Sequence, residues 1–429
     1  MSLTLQHTLD TLRGLGTPHE LRAAADTRLS PAVPPRVNAH IHLPPNFSAF
    51  QTVAQAVELA AAQKVGVLGA SNYYDFGVYA EFTDQTHRHG IFPLYGLEVI
   101  AMIDDLAAAG VKINDPGNPG KIYLCGKGIT GFATPTPEAQ RLIELIRRND
   151  DERMAQMAQR LSAILAENGI GADLSAAAIV DAIVRRHGCP RETVCLQERH
   201  LAQAFQEAIF AAVKPQDRQA ILGRMFGAAS KADPADGTKV QNEIRSHLMK
   251  AGKRVFVAET FVNFDQARSL ILELGGIPCY PTLADGASPI CTFEDPVEKL
   301  IASIQSRGIY CAELIPIRNK PEVLVRYATA MRQAGLVIMG GTEHNTLDML
   351  PIEPTCVGGV AVPPEIKTLF WEGACVAAAH QFLAVHGQCG YVDAQGRKNP
   401  AYTSDQQRIE AFSRLGAAVI EKYYRVSKA

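Results

Sequence analysis

Two hydrophobic patterns alternate from Val37 onward. Short apolar runs at 37–43, 65–70, 91–99, 121–125, 254–258, 276–280, 309–314 and 335–340 predict strands. Apolar residues recurring every three or four positions near 50–63, 78–89, 264–275, 295–307 and 321–334 predict helices. Strand and helix in alternation predict βαβ units around a parallel sheet. About seven or eight such strands favour closure into a (β/α) barrel over an open sheet.

One stretch breaks the alternation. Residues 138–250 carry almost no strand pattern, while Met154, Met157, Leu161 and Leu165, and again Leu201, Phe205 and Ile209, recur at helical spacing. A Met and Leu stripe of this kind is core, so an inserted helical domain is expected there, punctuated by Pro190 and the loop 232–237. The chain then divides into a helical lead-in at 1–36 that ends in the proline-rich stretch Pro31–Pro35, a first barrel part at 37–137, the insert at 138–250, a second barrel part at 251–362, and a C-terminal helical extension at 363–429 with the only tryptophan, Trp371. His380 and His386 lie on an apolar helix of that extension, where packing is their expected role.

A length of 429 residues exceeds a bare barrel of about 250, which leaves room for both additions. A net charge of -2 gives no electrostatic footprint for nucleic acid or an anionic membrane, so neither is an expected partner. No apolar run reaches the roughly 18 residues of a membrane span, and the opening residues lack a secretory pattern. The nine cysteines form no C-x-x-C pair and fit reduced thiols. A cytoplasmic location is the resulting expectation, with homo-oligomerisation open.

Chemistry enters at Val37–Leu43. Side chains alternate faces along a strand, so Asn38, His40 and His42 share one face, with the two imidazoles about 7 Å apart along the strand and able to converge on one metal. The pair ends the first barrel strand, and barrels of this type build their sites at C-terminal strand ends. Glu98, Glu313 and the run Thr342-Glu343-His344-Asn345 after Gly340-Gly341 occupy equivalent strand ends. Together they make an N/O donor set suited to zinc, manganese or iron.

This combination resembles the PHP (polymerase and histidinol phosphatase) superfamily, and its bacterial phosphoesterases with a helical insert in particular. The likeness covers roughly residues 36–350. The family's opening H-x-H corresponds to His40 and His42, and its Gly-x-Glu to Gly96-Leu97-Glu98. Its Thr-Asp-His falls on Ser71-Asn72-Tyr73. Its Arg-Pro-His motif falls on Arg199-His200 of the insert, its Ala-His-Pro on Cys279-Tyr280-Pro281, and its Gly-Ser-Asp-x-His on Gly341–Asn345. The resemblance implies a distorted (β/α)7 barrel and a divalent metal centre with His40, His42, Glu98, His200, Glu343 and His344 as ligands. The departures argue against the family's full three-metal cluster: Asn72, Tyr73 and Tyr280 stand where an aspartate and two histidines belong, Glu343 replaces an aspartate, and His344 comes one place early. One or two ions are expected.

The resemblance implies a metal-dependent hydrolase acting on a small phosphate ester, a nucleotide or sugar phosphate, with a metal lowering the pKa of a bound water. His200 or His344 is expected as general acid or ligand, with Tyr73 and Tyr280 as further catalytic groups. Arg199, Arg318 and Lys127 are candidate anion anchors, and Asn72 and Asn345 face the substrate. The thinned ligand set also suits a single-metal isomerase, lyase or amide hydrolase acting on a sugar or small metabolite, or a non-catalytic ligand-binding descendant.

Overall fold

The computed structural model describes residues 4–26 and 34–427, so most of the expected Pro31–Pro35 connector lies outside the described residues. Seven strands form a nearly closed barrel: β1 (Arg36–Ile41), β2 (Val65–Ala70), β3 (Phe92–Met102), β4 (Lys121–Lys127), β6 (Ile277–Thr282), β7 (Cys311–Leu314) and β8 (Val337–Gly340), hydrogen-bonded in that order. The two-residue β5 (Val262–Asn263) pairs only with β3. The barrel draws together across the ends of β1 and β8, where the Glu343 carbonyl accepts from the His42 amide at 2.7 Å and the His40 carbonyl accepts from the Thr342 and Glu343 amides. This is a distorted (β/α)7 barrel with an inserted helical region and a C-terminal helical extension.

Two expectations need correction. The sheet is not wholly parallel, because β4 runs antiparallel to both β3 and β6. The connection from β3 to β4 is a short helical excursion on the same edge rather than a crossover, which permits an antiparallel return. The run at 254–258 is no strand. Its Val255 and Val257 alternate as a strand does, but both are buried in the apolar cluster of the insert, and the barrel resumes only at Val262.

The insert is reached along one unbroken helix, Pro137–Glu167. Thr136 caps it, its hydroxyl accepting from the Ala139 amide, and Pro137 at the first turn lacks only an amide proton that had no helical partner. Ala139, Leu142 and Ile146 in its early turns belong to the barrel core, whereas Met154, Met157, Leu161 and Leu165 belong to a separate core shared with Leu201, Phe205, Ile209 and Val240. The expected stripes are therefore core. The extension forms two long helices, Pro364–Val385 and Asp405–Val426, packed on each other. The first also packs on β8 and β1, covering the seam where the barrel closes. Its Gln381 satisfies β3 backbone, accepting from the Tyr95 amide and donating to the Pro93 carbonyl. His380 donates from Nε2 to the Gly275 carbonyl and accepts from the Tyr391 amide at Nδ1. His386 bonds the carbonyl of Phe382 one turn back.

Candidate metal centre

β1 carries the centre. Asn38, His40 and His42 are all fully buried on its inward face, while a register shift against β2 between Asn38 and Ile41 puts three steps of β1 opposite two of β2. Such a bulge re-aims side chains at a barrel rim. Asn38 fixes the strand: its amide donates to Thr342 Oγ1 at 2.6 Å and the Ile352 carbonyl at 2.8 Å, and its carbonyl oxygen accepts from the His40 amide. Gly341 leaves room for the imidazole, since a Cβ there would lie 2.5 Å from the Cβ of His40 and 3.1 Å from Oε1 of Glu313.

The two imidazoles meet with Nε2 atoms 3.3 Å apart, and Oε2 of Glu98 lies 3.3 Å from the first and 3.6 Å from the second. Four ligands placed tetrahedrally about 2.0–2.1 Å from zinc stand roughly 3.3 Å from one another, so this triangle has the edges of three such ligands. Two histidines and one glutamate with a fourth position open is also a known catalytic zinc set. The donors fit a divalent ion of the zinc, manganese or iron type.

Each ligand has an outer partner. His40 Nδ1 lies 2.7 Å from Oε1 of Glu313, and Glu313 in turn forms an ion pair with Lys127. Burial works against charging His40, and the Glu313 carboxylate overrides it, raising its pKa well above the ordinary imidazole range. Tyr73 donates its hydroxyl to Oε1 of Glu98 and lies flat on His42, ring centroids 5.1 Å apart. Burial, and then the charge of Glu98, hold the Tyr73 phenol protonated by raising its pKa well above 10. For Glu98 burial acts in the opposite sense, but hydrogen bonds from both histidines win and hold its carboxyl far below the usual range. A second group of donors, His40, Cys125 and Glu313, adjoins the first.

Other expected site residues sit elsewhere. Neither His200, Glu343 nor His344 joins a group of three metal-type donors among the described residues. His200 Nδ1 accepts from the Gln197 amide in a capping box that starts the helix Glu198–Ala212, its ring meets Phe47 edge-on, and burial, helped by His187 and Arg186, lowers its pKa to about 3. His344 has both nitrogens engaged, with the Thr342 hydroxyl at 2.6 Å and the Leu350 carbonyl at 3.0 Å. Glu343 receives both arms of the Arg318 guanidinium and the Asn345 amide. Glu343 and His344 both have positive φ, at 60° and 52°, a strain of about 1–3 kcal/mol each of the kind that concentrates at functional sites. Asn72 clamps the chain after β1, its amide oxygen and nitrogen paired with the Leu43 amide and carbonyl. Tyr280 donates to Glu294, a buried carboxyl that also accepts from the Leu283 and Ala284 amides.

The centre opens on a cavity of about 580 Å³ between the barrel mouth and the insert, with Glu98 and Tyr73 on its floor. Arg153, Arg199, Arg245 and Lys250 from the insert, and Lys121 and Arg318 from the barrel, line it together with Asp115, Asp150, Glu198 and Glu343. Glu198 is bridged by Arg153 at 2.8 Å and Lys250 at 3.1 Å, and Lys121 pairs with Asp115 at 3.2 Å and Glu259 at 3.4 Å. Arg199 has no hydrogen bond or ion pair within the described residues; burial, and then the adjacent Arg245, bring its pKa down to about 9. Burial raises Asp150 to about 7 against the pull of Arg153. Lys127, Cys125 and Asp150 are the residues that sequence reasoning left out of the centre or misplaced, whereas Glu313, expected among the donors, stands as the outer partner of His40. Only Glu313 carried a signal, as a polar residue ending an apolar strand.

No protein-family model and no curated protein matches the sequence. Among solved structures, the chain is similar to a Bifidobacterium adolescentis protein assigned as a metal-dependent phosphoesterase, with TM-score 0.51 at 14% identity over 80% of this chain and 96% of that one. It is also similar to an amidohydrolase from Chromobacterium violaceum with bound sulfate and no metal, with TM-score 0.49 at 18% identity over 75% of this chain and 93% of that one. At these identities the likeness is one of fold. No helix among the described residues is long and apolar enough to cross a membrane.

Proposed function

We propose that the chain is a metal-dependent hydrolase in which His40, His42 and Glu98 hold a divalent transition ion, and that its substrate is a small phosphate ester. The observation that carries this reading is the His-His-Glu triangle opening on a cavity whose insert side is cationic. The fold shared with a protein assigned as a metal-dependent phosphoesterase supports the same choice. An ion at such a site supplies Lewis acidity, which brings the pKa of a water toward neutrality and polarises a scissile oxygen.

The chain's own residues do the rest. Glu313 keeps the proton of His40 on Nδ1 and so turns the lone pair of Nε2 toward His42 and Glu98. Arg199, which has no anionic partner of its own, and Arg318, shared with Glu343, bind the anionic group; a guanidinium grips phosphate at two points. Asp150, with a pKa of about 7, is suited to exchange a proton with the leaving group near neutral pH. The cavity volume suits a ligand of nucleotide or sugar-phosphate size.

The test has two parts. Protein purified without added metal is assayed for bound ions, then offered a panel of phosphomonoesters, nucleotides and sugar phosphates with manganese or zinc. Bound metal and phosphate release that disappear in His40→Ala uphold the reading. A chain that binds no metal points to a ligand-binding protein, and activity that survives in His40→Ala puts the chemistry elsewhere. Metal without phosphate release favours an isomerase, lyase or amide hydrolase.

A further inference from the structure

The second donor group offers an apparent place for a second ion. His40, Cys125 and Glu313 present ligand atoms that all lie within 4.8 Å of one another, and the group shares His40 with the first triangle. The space beside it is occupied by the ammonium of Lys127. That side chain is buried, ion-paired to Glu313, and lies 3.3 Å from both the Ala39 carbonyl and Ser71 Oγ. An ammonium has three protons to donate, and here three oxygens surround it.

The placement follows from β4. Cys125 and Lys127 are two residues apart and so face the same side, and the β3–β4 register sets Cys125 opposite Glu98 and Lys127 opposite Gly96. Gly96 leaves this corner open, since a Cβ there would fall 2.6 Å from Ser71 Oγ.

We propose that Lys127 takes the place of a second divalent ion, so that the centre binds one metal per chain with Glu313 held as the outer partner of His40. This rests on the metal reading given above. Charge supports it. Glu98 and Glu313 contribute two negative charges and Lys127 one positive, so a single divalent ion leaves the buried group at +1. A second, bound with Cys125 as a thiolate, would leave it at +2 in an interior where unpaired charge is expensive. Glu313 supports it too, because Lys127 holds its second carboxylate oxygen, the one not engaged by His40.

The experiment is a metal titration of the purified full chain with manganese and with cobalt(II), read as ions per chain and by absorption. Wild type is expected to saturate at one ion, with no sulfur-to-cobalt charge-transfer band in the near ultraviolet. In Lys127→Met the Glu313 corner is free, and the count should rise to two with a charge-transfer band from Cys125 that vanishes in Lys127→Met/Cys125→Ser. Lys127→Arg keeps the cation and should stay at one. Two ions in wild type, or one ion in a folded Lys127→Met, overturns the proposal while leaving the hydrolase reading intact. Wild type that binds no ion overturns both. If Lys127→Met does not fold, the wild-type cobalt form decides alone: one ion without the sulfur band upholds the proposal, and two ions or the band sink it.

Discussion

Tyr73 lies parallel to His42, its ring plane 7° away, while its hydroxyl donates to Oε1 of Glu98. One side chain thus orients two of the three donors of the centre. The phenol holds one carboxylate oxygen so that the other, Oε2, faces the imidazoles. Outer partners of this kind are worth about 10–100-fold in metal affinity. Tyr73→Phe keeps the stacked ring and loses only the hydrogen bond, so zinc or manganese affinity should fall within that range in calorimetric titration. An unchanged affinity would show that the stacking alone orients Glu98.

Gly341→Ala should act on His40 from behind. The new methyl would sit 2.5 Å from the His40 Cβ and 3.0 Å from its backbone nitrogen, so β1 must shift or the imidazole must turn. Overpacking of this sort costs about 1–3 kcal/mol. Urea unfolding should show that loss together with reduced metal content. A stability loss with full metal content would mean that the strand shifts as a unit.

Arg199→Met should separate function from stability. The guanidinium is half-buried, makes no ion pair within the described residues, and feels the repulsion of Arg245 and Arg318 with the Glu343 carboxylate against it. Its removal relieves repulsion, so the variant should be as stable as wild type or more so by roughly 1 kcal/mol. Binding of a phosphate ester should weaken, with KM raised by at least about tenfold and kcat less affected. Inorganic phosphate should raise the thermal midpoint of wild type more than that of the variant. A destabilised variant with unaltered KM would make Arg199 a structural residue.

His380 gives a pH dependence unconnected with catalysis. Burial lowers its pKa to about 4, against a hydrogen bond to the Gly275 carbonyl that favours the charged form. The unfolded chain, with an ordinary imidazole near 6.5, binds the proton more tightly, so stability rises with pH across the interval from about 4 to 6.5. It is complete above that interval and lost progressively on acidification, by roughly 2–3 kcal/mol at the lower end. His380→Gln can keep both hydrogen bonds without titrating. The stability difference between wild type and variant, measured by denaturant unfolding at several pH values, should change by that amount across the interval. A difference independent of pH would remove His380 from the account.

Much of the barrel was legible because periodicity reports which residues face inward, and β1 shows this best: Asn38, His40 and His42 alternate and are all buried. Strand direction is not written in periodicity, so β4 looked parallel. Val255 and Val257 imitate a strand because an irregular segment lying on a helical core also buries alternate residues. At the site, a pair two positions apart on one strand is visible locally, whereas the partner of Lys127 comes from β7. With that pairing invisible along the chain, an inward lysine resembled an anion anchor. Cys125 gave no signal, since a cysteine in an apolar strand is ordinary core. The alignment placed Tyr280 where a histidine belongs, but a phenol extends further, and its hydroxyl reaches Glu294. The capping role of His200 and the two backbone-side bonds of His344 depend on contacts that the pattern of residues does not express.

The helix Pro137–Glu167 has one further consequence. Its early turns are set in the barrel core and its later turns in the core of the insert, with no break between. A continuous helix resists bending, so the seating of its early turns in the barrel fixes where its later turns hold Arg153 on the cavity wall. The wall of the barrel and the roof of the cavity are thus two stretches of one element, and a substitution at Ala139, Leu142 or Ile146 in the barrel core would be felt at Arg153 above the metal centre.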